Sequence, residues 1–296
     1  MPRVREARQM KELNGKVAVV TGAGSGLGCA LALACAARGM ALVLADVSEP
    51  GLAQTTIQIR AAFPASRVIT RPTDVSKLTE VEALAALALS QYGAAHLLFN
   101  NAGVAISAPI WEHTEDDWQW VLGVNLYGVA WGIKVFTPIM LKQGEGHIVS
   151  TASANGWMST PTSGIYAVSK CAVVSMSETL ALDIADANGN VNVSVISPAF
   201  FSTNIQNSAA HRPQELPATA PLSEIRSQRE REGLYAMQHG RLSPAEIAEK
   251  TLQGIEAGHF YIFPHPGIKK IITARAMAAQ NEVHPFDPLA PRDECA

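Results

Sequence analysis

Apolar and polar positions along the chain follow two alternating rhythms. Short, nearly continuous apolar runs occur at residues 16–21 (KVAVVT), 41–45 (ALVLA), 67–71, 97–100 (LLFN), 147–151 (HIVST), 192–196 (NVSVI) and 260–263 (FYIF). Runs of this length, rich in β-branched or aromatic residues, predict strands buried on both faces. Between them lie longer segments with helical patterning, at 27–38, 51–63, 78–92, within 116–142, at 165–185 and at 244–254. Strands alternating with helices at this spacing predict an α/β fold, a doubly wound parallel sheet with right-handed crossovers. Such a sheet binds ligands beyond the carboxyl ends of its strands.

Three regions stand outside the rhythm. Residues 1–13 read as a polar tail. Residues 204–240 are polar and proline-bearing, with a charged run at 226–232, and a stretch this long in a compact domain reads as a substrate lid. Residues 264–296 form an extension after the last strand, in which 268–279 has the pattern of a docking helix.

Composition narrows the partners. Of 296 residues, 48% are hydrophobic and 17% charged, enough for a large core and too little charge for disorder. A net charge of −3 argues against nucleic acid or an anionic membrane held by bulk charge. The four cysteines form no CxxC pair and no His/Cys cluster has ligand spacing, so no metal is expected and a reducing cytoplasm fits. The first sixteen residues lack the apolar stretch of a signal peptide, and no run of about 18 uninterrupted apolar residues predicts a membrane span.

Candidate chemistry begins at the first strand–helix junction, Thr21-Gly22-Ala23-Gly24-Ser25-Gly26-Leu27-Gly28. Glycines let the backbone turn tightly and let a pyrophosphate approach, and the following helix presents N–H groups to the anion. The spacing is TGxxxGxG, fixed at Gly22, Gly26 and Gly28, and Ser25 and Leu27 lie within the same cradle. Asp46 ends the second strand, where a carboxylate accepts hydrogen bonds from the adenosine ribose and repels a 2′-phosphate, favouring NAD over NADP. It can equally serve as a helix cap or turn residue. Asp74, beside Val75, ends the third strand and suits either the adenine amino group or a cap.

Tyr166 and Lys170 are one helical turn apart and share a face. An ammonium about 4 Å from a phenol is worth roughly 4 kcal/mol at an effective dielectric of about 20, or about three pH units. That would bring a tyrosine into the working range of a general base. Ser153 follows the strand HIVST and is placed either to hydrogen-bond a substrate oxygen or simply to turn the chain before Ala154-Asn155-Gly156. Asn125, a poor helix former inside a long helix, suggests a bound water or a local distortion.

Together the TGxxxGxG turn, Asp74-Val75, Asn100-Asn101-Ala102-Gly103, Asn125, Ser153 and Tyr166-Ala167-Val168-Ser169-Lys170 resemble the short-chain dehydrogenase/reductase family, in its single-domain, Rossmann-like classical group. The likeness covers residues 14–263. It implies that Tyr166 transfers the proton, that Ser153 orients the substrate oxygen, and that Lys170 binds the nicotinamide ribose and lowers the tyrosine pKa. Asn125 would hold a water in a proton relay. Asn101, with Ala102 and Gly103, would support the adenosine side of the site; Pro198 and Thr203 match the loop that meets the carboxamide. One departure is Ser197-Pro198-Ala199, where the family usually has Pro-Gly, which puts that loop's path in question. Residues 234–266, with Gln238-His239-Gly240 and Phe260-Tyr261-Ile262-Phe263-Pro264, are similar to a subgroup that oxidises the benzylic alcohol of lignin-type aryl ethers.

The expected activity is an NAD-dependent interconversion of a hydrophobic, bulky or aromatic secondary alcohol and its ketone. Trp157, Met158, Ile106 and Phe200 flank the catalytic positions and suit either a pocket wall or plain packing. The alternatives are a non-catalytic dinucleotide sensor or scaffold, a steroid or acyl substrate, or an epimerase or dehydratase. The implied assembly is a homodimer or homotetramer.

Overall fold

The computed structural model describes Met10, residues 12–218 and 240–290, and Glu224, Ser227, Gln228, Arg231 and Tyr235. The charged run at 226–232 and the Gln238-His239 pair therefore lie largely outside the described residues, as does most of the second half of the expected lid. Among the described residues, seven strands alternate with helices: β1 Val17–Thr21, α1 Gly26–Ala37, β2 Ala41–Asp46, α2 Glu49–Ala62, β3 Val68–Pro72, α3 Leu78–Tyr92 and β4 Leu97–Asn100. There follow α4 Glu115–Leu122, a π-helical turn Gly123–Tyr127, α5 Gly128–Gln143, β5 Gly146–Thr151, α6 Gly164–Asp186, β6 Val191–Ile196, α7 Pro244–Glu256, β7 Tyr261–Ile262 and α8 Ile268–Gln280.

The strands form one parallel sheet in the order β3-β2-β1-β4-β5-β6-β7. The order reverses between β1 and β4, and this is the switch point at which a doubly wound sheet opens a ligand crevice. The period of two along each strand divides the core. Ala18, Val20, Leu42 and Leu44 face α1, α2 and α7, where they meet Leu31, Cys35, Ile59, Leu252 and Ile255. Val17, Val19, Ala41 and Val43 face the other side and meet Leu84, Phe136, Met140, Leu180 and Ile184. Burial pushes the Cys35 thiol up to about 12, so it acts as a small hydrophobe. Burial also pushes His147 down to about 3, leaving a neutral ring on Ser194 Oγ at 2.8 Å.

Helix starts follow their local chemistry. Thr114 and Asp117 form a reciprocal capping box at α4, and Ser243 and Glu246 do the same at α7, where Pro244 occupies the first turn. The stretches Glu115–Gln143 and Gly164–Asp186 are long and apolar enough to cross a membrane by length and composition. Both dock one face on the sheet through Phe136, Met140, Leu180 and Ile184.

The extension after β7 is structured as the pattern predicts. Ile268 of α8 clusters with Ala154 and Met158, and Ala199, Phe263, Ile271 and Ile272 pack against that cluster. The first part of the expected lid is a 3-10 helix, Asn204–His211.

Phe136 is fully buried where α5 meets the sheet. Phe136→Ala is expected to lower the unfolding free energy by about 3–5 kcal/mol, read from the urea midpoint.

Candidate active site

A cleft of about 1860 Å³ opens at the carboxyl ends of the strands. Its wall contains Gly22, Ser25, Gly26, Leu27 and Gly28 of the glycine turn, Asp46, Asp74 and Val75 from the second and third strand ends, and Asn101, Ala102 and Gly103 after β4. It also contains Ser153, Tyr166, Lys170, Pro198, Phe200 and Thr203. Residues more than a hundred positions apart in the chain thus share one surface.

The glycine turn is as tight as its composition suggests. A Cβ on Gly22, whose φ is +66°, would fall 2.7 Å from Ala102 Cα, and one on Gly28 would fall 1.9 Å from Gly22 O. The first turn of α1 carries no acidic residue, and its N-cap Ser25 makes no side-chain capping bond. An anion is the natural complement to such a helix start. Thr21 Oγ1 ties the turn to β4, accepting from Asn101 N (2.9 Å) and Ala102 N (3.1 Å) while donating to Phe99 O (3.0 Å). The Asn101 amide donates back to Thr21 O at 3.0 Å.

Asp46 holds the turn from the other side. One carboxylate oxygen accepts Gly24 N–H at 2.8 Å and the other accepts Ser48 N–H at 2.9 Å. The same side chain thus holds the turn and lies on the cleft wall. Asp74 accepts from Ser76 N (3.0 Å) and Ser76 Oγ (2.7 Å), and its other oxygen pairs with Lys77, so it too closes a turn while facing the cleft.

Asn125 sits in the π-helical turn, fully buried behind the wall. Its side chain accepts Val104 N–H at 2.8 Å and donates to Val104 O at 2.9 Å and to Ser169 Oγ at 3.1 Å. The distortion at this asparagine therefore accompanies a clamp on the segment after β4. A Cβ at Gly103 would lie 3.4 Å from Asn125 Oδ1 and 3.5 Å from Lys170 Nζ, so glycine leaves open the space between them.

Lys170 is buried and its Nζ donates to Thr151 O, at the end of β5, at 2.7 Å. The ammonium lies 5.7 Å from the centre of the Tyr166 ring. Burial lowers Lys170 to about 8, and burial raises Tyr166 above its usual 10, with only the Ser153 hydrogen bond acting downward. Both groups are desolvated, which pushes each toward its neutral form, and the lysine is directed at a backbone carbonyl; burial is the larger influence on the phenol here. Ser153 also accepts Asn155 N–H at 3.2 Å, so it closes the turn while lying on the cleft wall.

Other expectations are resolved by packing. Met158, Ile106 and Phe200 lie on the cleft wall, but Trp157 does not. Its indole N–H donates to Ser197 Oγ at 2.9 Å, and its ring meets Tyr261 and Phe263 edge-on, which turns it away into an aromatic cluster. Arg38, the residue that ends α1, pairs with Glu249 and Glu256 of α7 and so lies away from the cleft wall. Ala199 is not among the described non-glycine residues with positive φ, so the loop needs no glycine there.

Two groups escaped the sequence reading. Arg212, at the base of the lid, is buried against Asp117 at 2.5 Å and lies over the Trp120 ring at 5.1 Å, holding the lid base to α4. His265 Nδ1, in the extension, accepts Ala199 N–H at 3.1 Å. Neither carries a local motif, because each partner is brought near only by the fold.

The fall of Lys170 from 10.5 to about 8 corresponds to roughly 3 kcal/mol of native-state destabilisation while the amine is charged. The unfolded chain binds this proton more tightly, so the penalty is full below about pH 8 and vanishes above pH 10.5. Lys170→Met removes it, although Thr151 O then loses its donor. The stability difference, variant minus parent, is expected to fall as pH rises from 7 through about 8 and above, by up to roughly 3 kcal/mol, in urea unfolding across that range.

Comparison with known proteins agrees with this geometry. A short chain dehydrogenase family model matches residues 16–214. A CLA biosynthesis dehydrogenase/reductase of Lactiplantibacillus plantarum is 33% identical over 271 residues, 90% of this chain and 93% of that protein. A C alpha-dehydrogenase of Sphingobium is 29% identical over 284 residues, 94% of this chain and 90% of that protein. Among solved structures, a short chain dehydrogenase/reductase from Burkholderia phymatum in complex with NAD superposes with a TM-score of 0.92 at 45% identity, covering 95% of this chain and all of that one.

Proposed function

The chain belongs to the short-chain dehydrogenase family of oxidoreductases, and from that premise we propose that it interconverts a bulky, apolar secondary alcohol and its ketone with NAD. The observation that carries this reading is the Tyr166 phenol in the cleft wall, hydrogen-bonded to Ser153, with the buried Lys170 amine one helical turn away. The glycine cradle that would exclude any Cβ at Gly22 and Gly28, and the uncapped start of α1, fit a pyrophosphate. A nicotinamide dinucleotide, when bound, supplies the two-electron acceptor or donor.

The chain's own residues do the rest. Tyr166 accepts the hydroxyl proton during oxidation and returns it during reduction. Ser153 orients the substrate oxygen. With a pKa near 8, Lys170 is mostly charged at neutral pH; it spends one N–H on Thr151 O and keeps others for the phenolate and for ribose hydroxyls. Asn125 and Gly103 border the space beside that amine, which is where the proposed relay water would sit.

Asp46 supports NAD over NADP, since its carboxylate ends β2 at the cleft and the following residue, Val47, brings no positive charge. The relative solved with NAD is consistent with this choice. Ile106, Trp118, Met158, Phe200 and Leu216 contribute apolar surface to the remaining wall, which also carries Glu115, His211, Arg231 and Asp287, and that apolar surface supports a bulky substrate. The relative named a C alpha-dehydrogenase and the resemblance of residues 234–266 to a subgroup oxidising aryl-ether alcohols together favour keeping an aryl alcohol among the candidates. Tyr127, Val168 and Leu182 leave apolar surface exposed on the long helices, which supports a homodimer or homotetramer, proposed here as cytoplasmic.

Purified protein is expected to reduce NAD in an absorbance assay with aliphatic, steroid or aryl secondary alcohols, and to use NADP poorly. Tyr166→Phe is expected to lower kcat by about 10²–10⁴-fold with the fold intact; turnover near the parent's would refute the proton-transfer role. Asp46→Asn, which removes the charge while keeping an acceptor, is expected to raise the NADP/NAD ratio of kcat/KM by about tenfold, for about 1.4 kcal/mol of relieved repulsion. An unchanged ratio would mean that Asp46 serves only the turn.

A further inference from the structure

The turn Ser197-Pro198-Ala199 is suspended between two parts of the molecule. On one side Pro198 O accepts Ala154 N–H at 2.8 Å, directly after Ser153, and Ser197 Oγ accepts the Trp157 indole N–H at 2.9 Å. On the other side Ala199 N–H donates to His265 Nδ1 at 3.1 Å. His265 belongs to the extension that leads into α8, whose Ile268 clusters with Ala154 and Met158, and Ala199, Ile271 and Ile272 pack against that cluster. The serine loop, the Pro198 loop and the extension are thereby knitted into one unit.

The chemistry of the ring narrows its purpose. A backbone N–H can donate to Nδ1 only if that nitrogen carries a lone pair, so the neutral ring must carry its proton on Nε2. Nε2 is buried and has no hydrogen-bond partner among the described residues. A donor left unmatched in that way is unfavourable, and a plain hydrocarbon ring would avoid it. What the histidine adds over phenylalanine is the acceptor for Ala199. Burial, with Lys250 acting in the same direction, holds the ring below the ordinary imidazole range, so the accepting form persists at neutral pH.

We propose that His265 is a positioning residue: its Nδ1 fixes the backbone from Pro198 to Thr203 against the Ser153 loop and so sets the place of the nicotinamide ring beside Tyr166. This rests on the reading of the cleft as a nicotinamide site. It makes the extension part of the catalytic unit, and it explains how alanine serves at position 199, since the loop path is held by a side-chain acceptor from outside.

The test compares His265→Phe and His265→Leu, which remove the acceptor, with His265→Asn, whose amide oxygen stands near the place of Nδ1. Only one of the two acceptor-free variants need fold. NADH fluorescence reads the nicotinamide surroundings whether or not an alcohol panel contains the substrate, and AMP binding reads the adenosine half, remote from the loop. The parent is expected to enhance NADH fluorescence, the acceptor-free variants to lose that enhancement, His265→Asn to recover it, and AMP affinity to stay constant throughout. With a working alcohol, kcat should fall by about 10²-fold in the acceptor-free variants, and the deuterium isotope effect at the carbinol carbon should rise as hydride transfer becomes limiting. Parental fluorescence in a folded acceptor-free variant, or an Asn variant no better than Phe, would overturn the role of His265. A parent that binds NADH but oxidises no alcohol would count against the alcohol reading alone, and one that binds no NADH would sink both.

Discussion

A lysine amine drawn out of water onto the carbonyl that ends a sheet strand is the interaction around which the cleft is arranged. Lys170 has almost no exposed surface, and its Nζ is anchored to Thr151 O at 2.7 Å. Desolvation disfavours the charged form, and one carbonyl offsets only part of that loss. Such an amine makes the native state less stable than an apolar side chain of the same shape would. It also makes the site responsive: a further negative partner is bound more strongly by a poorly hydrated ammonium than by one in water. The phenolate proposed at Tyr166 is such a partner.

The same consideration explains why the directions at Tyr166 and Lys170 oppose the simple picture of a helical pair. From spacing alone, the two side chains share a face and the ammonium should stabilise the phenolate. Spacing does not report burial, and both groups are desolvated, so each is pushed toward its neutral form. The pair is balanced, with the amine ionising near neutrality and the phenol awaiting a change in its surroundings. The Ser153 hydrogen bond is the one influence that already acts on the phenol in the downward direction.

Much of the fold was legible because parallel strands buried on two faces leave unambiguous apolar runs, and all seven runs became strands of one sheet. The glycine turn, Asp46, Asp74, Asn101 and the Tyr166/Lys170 pair were legible because local backbone demands and strand ends place them. The helix distortion at Asn125 was one of the two readings that a poor helix former inside a long helix allowed. What could not be read was the outcome of competition between distant groups. Trp157 stands next to catalytic positions in sequence, yet Ser197, Tyr261 and Phe263 draw it out of the cleft. The Arg212–Asp117 pair joins residues 95 positions apart, with nothing nearby in either segment to announce it.

The loop at Ala199 shows how a departure from a family pattern can be absorbed. Glycine after proline would leave a turn free to choose its path, whereas alanine narrows the choice; either residue has a backbone N–H to be satisfied. Here the N–H finds an imidazole from a segment beyond the last strand, and that segment is held in turn by isoleucines packed on the serine loop. Local freedom has been exchanged for a long-range tether. A change in α8 would therefore reach the Ser153 loop on the cleft wall through two hydrogen bonds and one apolar cluster, although no residue of α8 lines the cleft.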